Sequence, residues 1–382
     1  MYVTVLGAGV VGKAIVYDLA TMPQISNITI VDINRDNIEG ALTKVSDKSK
    51  IYAIASDVFS DKAIDAIKKS DLVFSALPGS ISYNVIKQLI KYRKHIIDVS
   101  FMDEDVLELD SLAKENNVIL IPDAGFAPGL TNLIVGYNYF NVFDKLERVD
   151  IHVGALPAWP APPLNHVITW SVEDFLDEYL RMAKIVQNGK VELIDPLSVT
   201  NSVLIEGIGQ FEEFYTDGLR TLISTIPVKD MAEKTLRYPG HIAKMKFLKQ
   251  LGLLSNKKIN VDSFKIAPRY VLEKILARLK EEDILDIVVM RIDLSGYVNS
   301  KFKTYMITLY EQYSQTTKFS AIARVTGFTA TAVSKLLIDE KIDSFGVIPL
   351  ELIGQCPNLY NTIINYLRDK HNIKLNIYRY PY

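Results

Sequence analysis

A single cysteine, Cys356, is all that this 382-residue chain carries, so it can build neither an internal disulfide framework nor a multi-cysteine metal centre. Histidine is nearly as sparse, at five. An excess of either charge is missing too. The 43 Lys and Arg face 45 Asp and Glu, and a formal net charge of −2 gives no reason to expect nucleic acid or an anionic membrane as a partner. No apolar run reads as long enough to span a bilayer. Met1 leads straight into a strand-like segment with no room for a signal peptide, so a cytoplasmic location is expected. Internal repeats and low-complexity segments are absent from the sequence. What remains is an ordinary globular composition, 48% hydrophobic and 23% charged, in a chain long enough for two or three domains.

The most informative stretch is the first. Tyr2–Leu6 is an apolar run of strand length, Gly7-Ala8-Gly9-Val10-Val11-Gly12 is a glycine-rich turn, and a helical pattern follows through Ala20. The three glycines do different things. Gly7 allows the tight turn, Gly9 the close approach of a pyrophosphate, and Gly12 the packing of helix on strand. The helix start then offers unpaired N–H groups to phosphate. A second apolar strand, Ile28–Val31, ends in Asp32, 20 residues after Gly12, where an acid for the adenosine ribose hydroxyls belongs. Asp32 favours NAD, because a carboxylate repels the extra phosphate of NADP; Arg35, just beyond, keeps NADP open.

Strands and helices go on alternating to about residue 125, with six strand candidates, as in a doubly wound parallel sheet. Ligands of such sheets lie beyond the strand C-termini. That rule nominates Asp32 with Ile33, Asp57 with Val58, Ser75 through Ala76, Leu77 and Pro78, Val99 with Ser100, and Asp123 as cofactor-facing. Pro122–Asn132 is dense in turn residues: a domain boundary, and by position a candidate for the nicotinamide end of the cleft. A second composition begins near Leu146. Its prolines at Leu156–Pro163 suit either a pocket wall or a surface crossing. Thr235–Tyr238 reads as a strand, Pro239-Gly240 as a turn, and the following residues as a helix. Arg237, His241 and Lys244 cluster there, either to hold a substrate carboxylate with His241 as proton shuttle, or as a solvated basic face. Asp286–Ile292 and Thr304–Tyr310 read as a strand pair, and Ser320–Leu337 as a helix interrupted at Thr326-Gly327.

Several runs resemble the saccharopine dehydrogenase family: Gly7–Gly12, Ile121–Leu130, Gly154–Pro157 with Pro162-Pro163, Phe211–Gly218, Thr235–His241 and Gly346–Glu351. They occur in family order over nearly the whole chain and look closest to its L-lysine 6-dehydrogenase branch. The resemblance implies an α/β protein: a Rossmann domain over 1–125, then a mixed α/β substrate-binding and dimerisation domain over 126–319. The latter would be similar to the C-terminal domain of glyceraldehyde-3-phosphate dehydrogenase, with residues from about 320 to 382 packing back on the first domain. It also implies a homodimer that oxidises the carbon–nitrogen bond of a small amino-acid substrate with NAD, and no metal. On that basis Arg237 is expected to hold the substrate carboxylate, Asp123 or Glu212 an ammonium, and His241 the proton. Two departures stand out. Ala155 replaces a glycine common in the family, and Ala158–Ala161 offers no arginine. Saccharopine, with three carboxylates, therefore fits less well than lysine. A saccharopine or carboxyspermidine-type dehydrogenase remains the alternative, and beyond it a non-catalytic NAD(P)-binding protein.

Overall fold

A computed structural model describes residues 1–169, 171–279 and 284–381. Positions 170 and 280–283 of the expected second domain, and 382 of the C-terminal segment, lie outside the described residues. The first alternation becomes β1 (Tyr2–Leu6), α1 (Val10–Ala20), β2 (Asn27–Asp32), α2 (Arg35–Lys44), β3 (Ile51–Ala55), α3 (Asp61–Lys69) and β4 (Leu72–Ser75). It continues with α4 (Gly79–Lys91), β5 (His95–Asp98), α5 (Asp110–Glu115) and β6 (Ile119–Ile121). All six strands are parallel in the order 3-2-1-4-5-6, the order of a dinucleotide-binding sheet. Helix starts obey local chemistry. The side chain of Asn34 accepts the Asp36 N–H at 2.9 Å to cap α2, and Ser60 accepts that of Ala63 at 3.3 Å to cap α3.

α6 (Leu130–Asn141) carries the chain into β7 (Lys145–Pro157), α7 (Val172–Asp177), β8 (Ala183–Gln187), β9 (Lys190–Ile194), β10 (Asn201–Ile205) and β11 (Gly209–Tyr215). Next come α8 (Leu222–Thr225), β12 (Asp230–Arg237), α9 (His241–Gln250), the hairpin β13 (Ile259–Val261) with β14 (Phe264–Ile266), and α10 (Pro268–Leu276). β15 (Asp286–Val298) and β16 (Lys301–Gln312) form one long hairpin, of which the sequence pattern marks the first half of β15 and the middle of β16. α11 (Ala321–Ile338), β17 (Gly346–Val347), α12 (Leu350–Ile353), α13 (Pro357–His371) and β18 (Asn376–Pro381) complete the described chain. Nine of these strands make a mixed sheet, ordered β10-β11-β12-β7-β15-β16-β18, with β8 and β9 branching from β12. Its β12–β7 pair is parallel, and the other pairs are antiparallel.

The segment from α11 through α13, in the last sixth of the chain, returns to the first sheet. β17 adds a seventh parallel strand beside β6. α11 runs unbroken through Thr326-Gly327, which corrects the expected interruption. A Cβ at position 327 would stand 2.8 Å from the Ala14 Cβ, so this glycine lets α11 lie close on α1 instead of breaking it. By length and composition α11 could cross a bilayer, which corrects the expectation that no run is long enough; 72% of it is buried within the protein, and it is a core helix. Behind it, Asp18 of α1 is fully buried. It accepts hydroxyls from Thr331 (2.5 Å) and Tyr366 (2.8 Å) and pairs with Lys370 (2.8 Å) and His371 (3.1 Å). Burial raises its pKa, but the His371 and Lys370 contacts more than offset that and hold it below the usual range. A buried anion left unpaired is strongly destabilising, so this knot fastens α13 to the helix that follows the glycine turn.

Candidate active site

The glycine turn has the geometry a dinucleotide requires. Gly7 has φ +88°, and a Cβ there would lie 2.3 Å from the Ala76 carbonyl oxygen; at Gly12 it would lie 2.0 Å from that of Gly7. Gly9, by contrast, faces open space, with nothing within 4 Å of an added Cβ. Val10 and Val11 start α1 with no side-chain cap, which leaves the helix N–H groups for phosphate. Asp32 ends β2 as the adenosine-side acid must. Its carboxylate accepts the backbone N–H groups of Ala8 and Asn34, each at 2.7 Å, and the Asn37 amide at 3.2 Å. Ile33 is exposed beside it; Asp57 caps the next turn through the Phe59 N–H at 2.8 Å, with Val58 half-buried. Ala76 and Leu77 are half-buried and Pro78 opens α4. The Ser75 and Ser100 hydroxyls turn inward instead, to a buried carboxyl that spacing did not single out. Ser100 Oγ donates to Asp98 at 2.8 Å, and Ser75 reaches it through Ser82. Burial, opposed by these serines and reinforced by Asp123, pushes Asp98 up to about 7.

Beyond the strand C-termini lies a cavity of about 210 Å³ between the two sheets. The Pro122–Asn132 loop supplies Asp123 and Gly125 through Pro128, α1 supplies Val11, and α11 supplies Ile322 and Thr326. The second sheet closes it with Val153–Ala155 of β7, Thr216 and Asp217 after β11, and Glu233, Thr235 and Arg237 of β12. Four buried polar atoms of its wall residues have no hydrogen-bond partner: Asp123 Oδ1, His166 Nδ1, Arg181 Nη1 and Glu233 Oε2. Buried polar groups are nearly always paired, so orphans gathered round one cavity point to a polar ligand. Asp123 is otherwise held by Arg220, whose Nε lies 3.4 Å from Oδ2 while its Nη1 donates to the Met102 carbonyl at 2.7 Å. Burial raises the Asp123 pKa, although Arg220 draws it down. Arg181 pairs with Asp103, and its guanidinium lies 4.3 Å from the centre of the Phe101 ring.

Residues 3–121 match the family model described as the saccharopine dehydrogenase NADP binding domain, and residues 125–373 match the saccharopine dehydrogenase C-terminal domain. The chain belongs to the saccharopine dehydrogenase family. It is 28% identical to an L-glutamate-forming, NADP-dependent saccharopine dehydrogenase of Pyricularia oryzae over 62% of this chain and 56% of that one. With the Saccharomyces cerevisiae enzyme of the same name it shares 26% identity over 74% of this chain and 66% of the relative. It thus spans between about half and two thirds of those curated relatives. A Synechocystis carboxyaminopropylagmatine dehydrogenase is 22% identical over 94% of each chain. Among solved structures, apo saccharopine dehydrogenase (L-Glu forming) from S. cerevisiae superposes with a TM-score of 0.78 at 21% identity, covering 99% of both chains. The likeness in fold therefore extends through both sheets.

In this saccharopine dehydrogenase family member the expected catalytic cluster separates. His241 is fully buried at the start of α9, behind the cavity wall and not in it. Its Nδ1–H donates to the Leu164 carbonyl at 2.8 Å, so Nε2 accepts the Tyr179 hydroxyl at 2.7 Å. Burial, with the Arg237 cation adding to it and the Leu164 bond opposing, pushes His241 down to about 3. The ring is neutral and tied at both nitrogens behind the wall, where a proton shuttle was expected at the cavity. Arg237 does reach the cavity wall, but Nε donates to Tyr179 (3.1 Å), Nη1 to the Leu236 carbonyl (3.0 Å), and Nη2 pairs with Glu178. Each of its nitrogens already has a partner, and Glu178 balances its charge. Glu212 stands directly opposite Arg237 across the β11–β12 pair and is not among the residues lining the cavity. Lys244 turns to Asn165 at 2.9 Å. A depressed His241 pKa stabilises the fold above its ordinary 6.5 and loses that contribution as pH falls from 6.5 towards about 3. In His241→Gln, urea unfolding should therefore show a shallower loss on acidification, by about 1.4 kcal/mol per pH unit, with turnover retained. A turnover collapse in that variant would return the histidine to the chemistry.

Proposed function

We propose that this chain is an NAD(P)-dependent oxidoreductase acting at the carbon–nitrogen bond of an amino acid, and that its substrate is lysine or a close relative. The observation carrying this reading is the set of orphaned atoms on the cavity wall: Nη1 of Arg181, against carboxyl oxygens on Asp123 and Glu233, with His166 Nδ1 beside them. One free cationic donor suits one carboxylate, and acidic oxygens suit amines. Saccharopine would bring three carboxylates to a wall whose other arginine, Arg237, is engaged by Glu178. Val11 and Thr326 border the same space, where a nicotinamide extending from the glycine turn would accept hydride. Asp32 favours NAD, while Arg35 and the matched NADP-binding model leave NADP as a substrate for the same turn.

A second reading has its own support. The carboxyaminopropylagmatine dehydrogenase aligns over nearly the full length of both chains, and an acidic wall also suits a cation-rich secondary amine. The test is a panel of lysine, saccharopine, carboxyaminopropylagmatine and other amino acids, with each dinucleotide, followed by nicotinamide absorbance. Reduction with lysine first in kcat/KM supports the proposal. Preference for a secondary amine selects the second reading, and dinucleotide binding without turnover of any amine defeats both.

A further inference from the structure

Strand β12 alternates, and its alternation brings Glu233, Thr235 and Arg237 to the wall of the cavity. Arg237 is occupied by Glu178 and Tyr179, and Thr235 shares a 2.9 Å hydroxyl contact with Thr216. Glu233 is different. It is 3% exposed, and among the described residues no cation pairs with it. Its Oε1 accepts the Thr216 hydroxyl at 3.4 Å, and Oε2 is without a partner. The turn after β11 is shaped around this carboxyl, because a Cβ on Gly218 would fall 1.6 Å from Oε1. Thr216-Asp217-Gly218 thus forms a cradle that accepts a glutamate head only because position 218 has no side chain.

We propose that Glu233 is the catalytic acid–base of this site, exchanging a proton between Oε2 and the reacting nitrogen of the substrate. The assignment rests on the amine dehydrogenase reading. In the oxidative direction an N–H bond of the substrate ammonium breaks, its electron pair stays on nitrogen, and the proton joins Oε2. The neighbouring C–H bond then breaks with its electron pair, hydride passes to the nicotinamide of NAD(P)⁺, and the nitrogen lone pair becomes the second bond of the C=N product. In reverse, Glu233 returns the proton. The remaining charged groups fit this division of labour. Asp123 keeps Arg220 beside it and Glu178 keeps Arg237, so each of those acids already has a cation as partner, unlike Glu233. Asp217 accepts the Lys184 N–H at 3.3 Å, and Arg181 faces the cavity with the opposite charge. Burial pushes Glu233 up to about 8, opposed by the Thr216 bond and reinforced by Asp217, Glu178 and Asp123. A group that titrates near the working pH is well matched to both proton uptake and return.

The test is Glu233→Gln, which keeps shape and neutrality but cannot take a proton. Amine oxidation by the parent should rise as pH passes through about 8, and reduction of the imine should fall there. In the variant kcat should drop about a hundredfold and that inflection should vanish. Dinucleotide affinity and the thermal midpoint at pH 6 should hold, which separates chemistry from folding. A variant within about threefold of the parent, with the inflection intact, overturns the proposal. Should the parent oxidise no amine, the functional reading fails by itself. The residue is then read directly, by infrared difference between parent and variant. A protonated-carboxyl band present at pH 6 and lost above pH 8 supports Glu233 as a proton carrier, and its absence overturns it.

Discussion

Arg181→Leu is expected to raise KM for the amino-acid substrate by about a hundredfold or more, with dinucleotide affinity unchanged. The guanidinium follows α7, lies over Phe101, pairs with Asp103 on one nitrogen and leaves Nη1 buried and unsatisfied in the cavity. Leucine keeps the apolar cover of Phe101 and removes only the charge and its donors. A charge-assisted bond to a desolvated carboxylate is worth about 2–5 kcal/mol when one partner is truncated, and each 1.4 kcal/mol is a factor of ten. The sharper readout is discrimination. The parent should prefer lysine over 1,5-diaminopentane, the same chain without its carboxylate, by about a hundredfold, and the variant should lose that preference. An unchanged KM and retained discrimination would send the carboxylate elsewhere.

The second large effect contrasts two glycines three residues apart. In Gly12→Ala the new Cβ would meet the Gly7 carbonyl oxygen at 2.0 Å, which backbone cannot accommodate in place. Strand and helix must separate, at a cost of about 1–3 kcal/mol or more, and the phosphate-binding N–H groups move with them. Dinucleotide binding should therefore weaken by at least about a hundredfold together with a lower unfolding midpoint. Gly9→Ala, with open space at its Cβ, should fold normally and lose affinity only because the methyl occupies the pyrophosphate's place. Titration of both variants with NAD and NADP, next to their urea unfolding curves, separates the two mechanisms. Equal stability losses would show that the turn is not organised as described.

The legible and the illegible parts of this chain divide along one physical line. Features carried by local repetition or by glycine spacing could be read: the strand–helix alternation to β6, the turn at Gly7–Gly12, the acid at Asp32. Roles that depend on who stands opposite could not. Arg237, His241 and Lys244 are close in sequence and look like one basic face. Yet Tyr179 and Glu178, 58 to 62 residues upstream, claim Arg237 and His241, while Asn165, 79 residues upstream, draws Lys244 away. Arg181 carried no motif, and only its orphaned nitrogen identifies it. Glu233 left a faint signal, two residues before Thr235 and four before Arg237 on a strand whose alternate residues share a face. Thr326-Gly327 reads as a helix break until α1 is seen to need the space.

The strand β17 has a consequence for the nascent protein. Its partner β6 ends at Ile121, whereas Gly346 and Val347 are synthesised more than 200 residues later. At translation rates of about 5–20 residues per second, that edge of the first sheet stays bare for roughly 10–45 s. An unpaired apolar edge is a template for pairing with another chain, so the risk of misassembly is concentrated in that interval. The last strand of each large sheet to be made, β17 in the first and β18 in the second, arrives almost together with the other. One edge of each sheet is therefore completed within the same span, Gly346–Pro381.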